Sequence, residues 1–380
     1  MRLLKYCMPG AIAFAMTIGV TGCAEDYDGQ LEIPVESNKI DILAPEYSML
    51  YEEIRVSNSN VATGTEVTVD FGDGTVKTTK SGLYSYHKYT RPGNYVIKVS
   101  APTYEASSSA ITVGESLGLN ERTKIFADPD NRKILIVAHR AHTSHKNVPE
   151  NSLAAIDDAV AAHADVIETD VVATSDGVLC ISHDGFETDE NGNRVDISAN
   201  PWSVVRTIRL RDREGNITDQ TIPSFEEFLK HGRGRIFFTI DKMDKIPDRY
   251  EAYRIVERIG MTQAVFFYGD KCVPSVWDFN KLAHGGKWLG TPDDYAGQNI
   301  WEHYAQASYW PGGGNDMQSA FSKGLPVFVN MLHVLTASIP EYEINEEQVD
   351  ELLRRFPKVS YIQTDCPAEL DAYLRKLGRR

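Results

Sequence analysis

Three carboxylates in the C-terminal part of the chain have the spacing expected of a metal site. Glu168 and Asp170 are two residues apart in a predicted strand, so both side chains face the same side of it. Two buried negative charges at close range are costly unless a cation lies between them. Asp241 ends a later predicted strand and supplies a third carboxylate. Oxygen ligands without cysteine favour a hard cation, Ca²⁺ or Mg²⁺, over a structural zinc ion.

Two histidines at strand ends are candidates for proton transfer. His139 follows the first predicted strand of this region, and His183 follows a later β segment. Imidazole titrates near neutral pH, so one ring can accept a proton while the other donates one. The sequence leaves open which ring is the base. His142 and His145 are interpreted as structural residues, because a single histidine after a strand usually is one.

Arg140 directly follows His139 and carries a planar, permanent positive charge. A guanidinium group can bind phosphate oxygens through two parallel hydrogen bonds. We therefore predict that Arg140 binds a phosphate group, and an ion pair with a nearby acid such as Glu150 is the alternative interpretation.

The segments that carry these residues alternate between strand and helix. Apolar runs followed by amphipathic stretches are typical of a parallel sheet with crossover helices. The predicted strands are Ile134–Val137, Val166–Val172, Val178–Ser182, Arg235–Asp241, Ala264–Tyr268, Pro326–Met331 and Ser360–Thr364. The predicted helices are Ser152–His163, Tyr250–Ile259, Asn345–Arg355 and Ala368–Leu377.

Residues 132–380 have the length of one (β/α)8 TIM barrel, which is about 250 residues. Functional residues of such barrels lie at the C-terminal ends of the strands, which is where the candidates fall. An open, doubly wound α/β sheet is the alternative, and it is disfavoured because no Gly-rich dinucleotide loop follows the first strand. A polar insertion at residues 184–223 contains a predicted hairpin at Asn191 and Gly192.

The composition limits the class of protein. A chain of 380 residues is long enough for two or three domains, and 42% apolar residues suffice for ordinary cores. The formal net charge is −15, without a Lys/Arg-rich stripe, which argues against a non-specific nucleic-acid-binding protein. The five cysteines are too few and too scattered for a disulfide framework. They are Cys7, Cys23, Cys180, Cys272 and Cys366.

The N-terminal segment has the pattern of a targeting signal. Arg2 and Lys5 precede an apolar run, residues 11–20, that is short for a membrane span. Val-Thr-Gly-Cys at residues 20–23 resembles the lipobox of bacterial lipoproteins, and an ordinary signal peptide is the alternative. The resemblance implies a lipoprotein signal peptide at residues 1–22, a lipid on Cys23 and a tether at residues 23–30. It also implies a lipid-anchored protein of the bacterial cell envelope, either periplasmic or surface-exposed, with no other membrane attachment.

Residues 31–114 alternate between short apolar strands and Gly, Asn or Pro turns, which predicts an all-β domain. Asp-Phe-Gly-Asp-Gly at residues 70–74, an aromatic strand at residues 86–89 and Pro-Gly-Asn-Tyr at residues 92–95 resemble the PKD-type β-sandwich. The resemblance implies a spacer or adhesive module. Asp70 and Asp73 are interpreted as turn residues. A linker is predicted at residues 115–131.

Short motifs of the predicted barrel resemble the signature of glycerophosphodiester phosphodiesterases. In chain order they are Ala-His-Arg at 138–140, Val-Pro-Glu-Asn-Ser at 148–152, Ile-Glu-Thr-Asp-Val at 167–171, Thr-Ser-Asp-Gly-Val at 174–178 and His-Asp at 183–184. Ile-Pro-Ser-Phe-Glu-Glu at 222–227 and Thr-Asp-Cys-Pro at 364–367 are similar to later segments of the same family.

The resemblance implies hydrolysis of glycerophosphodiesters to sn-glycerol 3-phosphate and an alcohol. It implies one divalent cation, Ca²⁺ or Mg²⁺, bound by Glu168 and Asp170, and an acid–base pair of His139 and His183. The expected partner is a small-molecule glycerophosphodiester and not a nucleic acid. The sequence identifies neither the alcohol moiety nor a protein partner.

The sequence departs from the family at the third metal ligand. The family usually has Glu-x-Lys at this strand end, whereas this chain has Asp241, Lys242 and Met243. Adjacent strand residues face opposite ways, so Lys242 can serve as the phosphate-binding lysine only if the backbone bulges. Glu150 and Asn151 match a Pro-Glu-Asn motif, and they either support the site or cap the following helix.

Two alternative functions stay open at this stage. One is a phospholipase-like phosphodiesterase acting on phosphoinositol or sphingolipid head groups, which the methionine at position 243 leaves possible. The other is a non-catalytic surface-binding protein with a decayed barrel. The four intact residues His139, Glu168, Asp170 and His183 argue against decay.

Overall fold

The computed structural model describes most of the chain from residue 38 onward. The described residues are 38–51, 53–115, 133–143, 145–243, 246–261, 264–267, 288–290, 303–308, 327–330, 344–355, 357–359 and 361–380. The predicted signal peptide, the tether with Cys23 and nearly all of the predicted linker lie outside these residues and stay predictions. Among the described residues, none of the helices has the length and apolar character needed to cross a bilayer.

The first part of the described chain is a β-sandwich. Its strands are β1 (Asp41–Leu43), β2 (Tyr47–Met49), β3 (Glu53–Ser59), β4 (Glu66–Asp70), β5 (Val76–Lys80), β6 (Ser85–Lys88), β7 (Gly93–Ser100) and β8 (Ser107–Gly114). They form a sheet of order β1-β3-β6 and a sheet of order β2-β8-β7-β4-β5. Apolar side chains of the strands and of the residues just beyond their ends, among them Phe71, Tyr89 and Ile97, form a core of their own.

Asp70 and Asp73 of the sandwich stabilise the turn between β4 and β5. Asp70 Oδ1 accepts a hydrogen bond from the backbone N–H of Gly72 at 2.8 Å, and Asp73 Oδ1 accepts one from that of Thr75 at 2.9 Å. Gly72 has a φ of 80°, and a Cβ atom there would lie 2.7 Å from the carbonyl oxygen of Val96. These contacts agree with the interpretation of both aspartates as turn residues.

The second part of the described chain contains the other strands. They are β9 (Leu135–His139), β10 (Val166–Ala173), β11 (Leu179–Ile181), β12 (Phe186–Thr188), β13 (Arg194–Asp196), β14 (Arg209–Arg211), β15 (Ile217–Thr221), β16 (Phe237–Asp241), β17 (Val265–Phe267), β18 (Trp288–Gly290), β19 (His303–Ser308), β20 (Val327–Asn330) and β21 (Tyr361–Thr364). Eight of them form a parallel sheet of order β17-β16-β10-β9-β21-β20-β19-β18. The two end strands of this sheet, β17 and β18, lie beside each other, which closes the sheet into the predicted barrel.

Helices alternate with the barrel strands. The described helices are α1 (Leu153–Ala161), α2 (Trp202–Val205), α3 (Phe225–Gly232), α4 (Arg249–Arg258), α5 (Glu346–Arg355) and α6 (Pro367–Lys376). Side chains cap several of their N-termini: Ser152 accepts a hydrogen bond from the N–H of Ala155, and Ser224 forms a capping box with Glu227. The sequence patterns do not predict helices α2 and α3, whereas α1, α4, α5 and α6 match predicted helices within a few residues.

The prediction of one barrel strand is wrong. The segment Val178–Ser182 contains β11, which pairs antiparallel with the far end of β10 and lies outside the barrel. Only a short turn separates the two strands, so they form a hairpin; a parallel neighbour would require a crossover connection. The predicted insertion hairpin is confirmed, since β12 pairs antiparallel with β13 around Gly192.

The β-sandwich packs against the N-terminal face of the barrel. Tyr47 and Met49 of β2 join the barrel's core cluster. The backbone N–H of Glu46 donates to the carbonyl oxygen of Arg258 at 3.1 Å. A Cβ atom at Gly260 would lie 1.3 Å from the carbonyl oxygen of Tyr47, so only glycine permits this approach. These barrel contacts lie in loops that precede strands, on the face opposite the strand ends with the candidate residues.

Candidate metal and active site

Four consecutive barrel strands, β21, β9, β10 and β16, carry polar residues at their C-terminal ends. The strand register places Glu168 beside His139 and Asp170 beside Asp241. Asp365 directly follows β21. The fold therefore brings the sequence-predicted candidates of three strands together at one rim, and it adds Asp365.

The three carboxylates form the most acidic group of the site. Glu168, Asp170 and Asp241 each offer an oxygen atom, and these atoms lie within 4.8 Å of one another. Burial, followed by the charges of Asp170 and Asp241, raises the pKa of Glu168 well above its ordinary value. Within the described part of the chain, the buried Oδ2 of Asp170 has no hydrogen-bond partner. This set of oxygen donors fits a divalent cation, which would supply the missing positive charge.

Lys242 turns back toward these carboxylates. Its φ of 58° takes the backbone out of the strand conformation immediately after Asp241. As a result, Lys242 Nζ lies 3.2 Å from Asp170 Oδ1 and also donates a hydrogen bond to the carbonyl oxygen of His183. Met243 is 3% exposed and belongs to the hydrophobic core. The backbone irregularity that the sequence required for a site lysine at position 242 is therefore present.

His139 is held by a carboxylate on one side and faces the acidic group with the other. Its Nδ1 lies 2.8 Å from Asp365 Oδ1, and its Nε2 lies 3.9 Å from Glu168 Oε2. Burial lowers the pKa of His139, and the charges of Arg140 and His142 act in the same direction against the opposing effect of Asp365. The neutral ring donates from Nδ1 to Asp365, which leaves Nε2 on the side of the three carboxylates.

His183 lies at the more exposed side of the site. Its Nδ1 lies 2.7 Å from Asp184 Oδ1, and its side chain is 30% exposed. The residue lies beyond β11 and not at the end of a barrel strand, yet the contact of its carbonyl oxygen with Lys242 connects it to Asp170. Both candidate histidines thus have a carboxylate at Nδ1.

Arg140 forms the ion pair that was the alternative interpretation. Its Nη1 lies 3.1 Å from Glu150 Oε1, and its backbone N–H donates to Glu168 Oε2 at 3.2 Å. Its φ of 50° is a left-handed conformation, like that of Lys242 at the end of β16. Among the described residues, no acceptor contacts the buried Nε of Arg140. The guanidinium therefore keeps a donor that the ion pair does not use.

Asn151 stabilises the loop that contains Arg140. Its Oδ1 accepts a hydrogen bond from Thr169 Oγ1 at 2.8 Å, and its backbone N–H donates to the carbonyl oxygen of Arg140 at 2.9 Å. The helix cap is Ser152 and not Glu150 or Asn151. The Pro-Glu-Asn segment therefore supports the site, and the neighbouring serine caps the helix.

Sequence reasoning missed the roles of His142 and Asp365. His142 is 11% exposed, and its Nδ1 lies 3.1 Å from the same Asp365 oxygen that contacts His139. The sequence suggests only a structural role for His142, and its closeness to the Glu150 motif is the one signal that points further. His145 lies apart from this group, with Nδ1 2.6 Å from Asp158 Oδ1 and a largely exposed ring.

Comparisons with known proteins identify two families that this chain resembles. Residues 139–284 match the Glycerophosphoryl diester phosphodiesterase family, and residues 52–113 match the PKD domain. A glycerophosphodiester phosphodiesterase of Caldanaerobacter subterraneus subsp. tengcongensis is 36% identical over 124 residues, which are 33% of this chain and 41% of that protein. The chain thus matches less than half the length of this relative.

A solved structure shows the same fold. The crystal structure of a glycerophosphoryl diester phosphodiesterase from Parabacteroides distasonis ATCC 8503 aligns with a TM-score of 0.56 at 20% sequence identity. The alignment covers 68% of this chain and 92% of that one. Residues 139–284, which match the glycerophosphoryl diester phosphodiesterase family, thus lie in the part of the chain that folds as a TIM barrel, and residues 52–113, which match the PKD domain, precede it.

Proposed function

We propose that this protein hydrolyses glycerophosphodiesters to sn-glycerol 3-phosphate and an alcohol, with the help of one divalent cation. The observation that carries the proposal is the group of three carboxylates, with an unpartnered buried oxygen on Asp170, beside His139 at the barrel rim. The match to the phosphodiesterase family supports the same reaction class.

Glu168, Asp170 and Asp241 would bind the cation. A bound divalent cation neutralises phosphoryl oxygens and favours loss of a proton from an oxygen nucleophile. Ca²⁺ and Mg²⁺ both accept such oxygen ligands, and Ca²⁺ tolerates more irregular geometry. Adding back each metal to the chelated protein distinguishes between them.

His139 and His183 are the proposed acid–base pair. Each ring has a carboxylate at Nδ1, from Asp365 and Asp184 respectively, so each has Nε2 available for the substrate. One Nε2 would accept the proton of the attacking oxygen, and the other would donate a proton to the leaving alkoxide. The attacking oxygen is either water or a hydroxyl group of the substrate.

Lys242 and Arg140 are the proposed phosphate-binding residues. Both follow the last residue of a barrel strand in a left-handed conformation, and both lie within reach of the acidic group. The turn at Lys242 provides a site ammonium despite Met243 at the position of the family's lysine. This weakens the case for a phospholipase-like activity on phosphoinositol or sphingolipid head groups, which rested on that methionine.

The location of the protein is part of the proposal. The lipobox-like segment supports a lipid on Cys23 and attachment to the bacterial cell envelope. Replacement of Cys23 by Ser should move the protein from the membrane fraction to the soluble fraction. Retention in the membrane fraction would place the anchor elsewhere.

The reaction is tested by measuring release of glycerol 3-phosphate from a panel of glycerophosphodiesters that differ in the alcohol. We expect EDTA to abolish the release and either Ca²⁺ or Mg²⁺ to restore it. Equal rates with and without EDTA would contradict the metal site. Activity restricted to phosphoinositol or sphingolipid substrates would favour the alternative enzyme, and no activity on either group would favour a binding protein.

A further inference from the structure

His142 lies between two carboxylates that come from different parts of the site. Its Nδ1 is 3.1 Å from Asp365 Oδ1, at the end of β21, and its Nε2 is 2.9 Å from Glu150 Oε2, in the loop between β9 and α1. The side chain is only 11% exposed, so solvent screens these contacts little. Both ring nitrogens therefore face acceptors.

The two carboxylates are ionised at neutral pH. Burial acts to raise the pKa of Glu150, but the contacts with His142 and Arg140 outweigh it and hold this pKa at about 2. Burial also opposes ionisation of Asp365, and hydrogen bonds from His139 and His142 hold its pKa well below the ordinary value. An ionised carboxylate can only accept hydrogen bonds.

It follows that both ring nitrogens of His142 donate, which requires the imidazolium cation. Burial works against this charge, but the hydrogen bonds with Asp365 and Glu150 raise the pKa of His142 above its ordinary value. The result is a series of alternating charges, formed by Arg140, Glu150, His142 and Asp365.

Asp365, the last member of this series, also contacts His139. One oxygen of Asp365 accepts hydrogen bonds from both His139, at 2.8 Å, and His142, at 3.1 Å. The two rings lie edge to face, with centroids 6.1 Å apart. Asp365 lies between β21 and α6, and the contact with His142 restrains the same carboxylate oxygen that holds His139. The orientation of the His139 ring therefore depends on His142.

We propose that His142 is a positioning residue that acts through Asp365 to hold His139 in its reactive orientation. The proposal rests on the proposed function, because it concerns the same site. If His142 had only a structural role, changing it would affect folding. The loss of activity would then add independently to the loss caused by changing Asp365. A positioning role makes the two effects overlap, since both act on one ring.

The test is a double-mutant cycle with His142→Phe, which keeps a ring but no donors, and Asp365→Asn. We expect His142→Phe to lower kcat about 100-fold through misplacement of His139, with a much smaller change in KM. The double variant should lose no more activity than the more impaired single variant. Losses that multiply, or a kcat within a factor of about two of wild type, would overturn the proposal.

Two further measurements keep the test independent of folding and of the substrate. His142→Gln retains a donor and should show an intermediate kcat, and His145→Asn changes an exposed histidine with a single carboxylate partner and should leave kcat unchanged. In wild-type protein, ¹⁵N NMR should show protons on both nitrogens of His142 at pH 7. A neutral His142 would overturn the proposal, whether or not the protein hydrolyses glycerophosphodiesters. Absence of hydrolysis alone would contradict only the proposed function.

Discussion

At the scale of single residues, carboxylates have two different tasks in this site. Glu168, Asp170 and Asp241 concentrate negative charge where a cation fits, whereas Asp365 and Asp184 each hold a histidine by its Nδ1. The first group is strained by mutual repulsion in the metal-free protein, and the second is stabilised by its partners. Substitutions in the two groups should therefore have opposite effects on stability.

Replacement of Glu168 by Gln should abolish metal-dependent turnover and stabilise the metal-free protein. The folded-state pKa of Glu168 is raised, so its ionised form opposes folding at neutral pH, and the neutral amide removes that repulsion. We expect the melting temperature in EDTA to rise by roughly 2–4 °C for each kcal/mol gained. Asp219→Asn, at an exposed position of β15, is the matched control and should change neither quantity. Wild-type turnover of the Glu168 variant would contradict the metal assignment.

Glu187 of β12 gives a prediction for the pH dependence of stability. Burial raises its pKa to about 7, and the charges of Glu150 and Asp184 add to this against a hydrogen bond from Ser182. The folded protein therefore holds this proton more tightly than the unfolded chain does. Both states are protonated below the unfolded pKa near 4.5, so stability declines as the pH rises from about 4.5 to about 7 and levels off above that.

The measurement is urea unfolding of wild type and Glu187→Gln at pH 5 and pH 8. Between these values the wild type should lose on the order of 2 kcal/mol relative to the variant, since one pKa unit corresponds to about 1.4 kcal/mol. Glu190→Gln, at an exposed position near the same hairpin, should follow the wild type. Parallel pH profiles for wild type and Glu187→Gln would show that this carboxyl is not buried in solution.

At the scale of secondary-structure elements, the end of β16 decides which side chain enters the site. The left-handed turn at Lys242 directs its ammonium to Asp170 and leaves Met243 in the core. Lys242→Ala should lower kcat/KM by about 10–100-fold, the range for loss of a hydrogen bond to a charged group.

Adding Met243→Lys to that variant tests the position itself. The new ammonium would be buried in the core, so we expect no recovery of activity and a loss of roughly 3 kcal/mol in the free energy of unfolding. Met243→Leu conserves volume and should cost much less. Recovery of turnover by the lysine at position 243 would show that the backbone turn does not select the side chain.

The same strand ends show what the sequence could and could not predict. Strands β9, β10, β16 and β21 follow from local apolar patterns, because both faces of a parallel barrel strand are buried. Strand β11 has a similar pattern, and its place outside the barrel depends on pairing with β10, which local composition does not encode. The role of His142 depends on Asp365, more than 200 residues away, so no local spacing reveals it.

At the scale of the whole molecule, the contact between sandwich and barrel lies away from the site. Glu46 forms ion pairs with Lys230 at 2.6 Å and with Arg233 at 3.3 Å, and the guanidinium of Arg233 lies over the ring of Tyr47. Arg55 of β3 pairs with Glu257 of α4. All of the barrel partners precede strands or end helices, on the face opposite His139 and the three carboxylates.

Replacement of Glu46 by Lys should weaken this contact without affecting catalysis. The new ammonium would repel Lys230 and Arg233, so limited proteolysis within the predicted linker, residues 115–131, should become faster. We expect kcat/KM on soluble substrate to stay within about twofold of wild type. Glu105→Lys, at an exposed position of the sandwich, is the control for the added charge. A fall in activity that accompanies the faster proteolysis would mean that the sandwich contributes to the site.

The fit of Tyr47 against Gly260 and Gly234 also bears on how such chains can be recombined. A Cβ atom at Gly234 would lie 2.9 Å from the hydroxyl of Tyr47, and the clash at Gly260 would be with backbone. The contacting surfaces of the sandwich and the barrel are therefore complementary, unlike those of domains joined only by a flexible linker. This sandwich should dock onto a foreign barrel only if that barrel has glycine at the position of Gly260, and a residue other than glycine at the position of Gly234 should disturb the fit of the Tyr47 hydroxyl. Transferring the sandwich and the barrel together into another chain should preserve the contact between them.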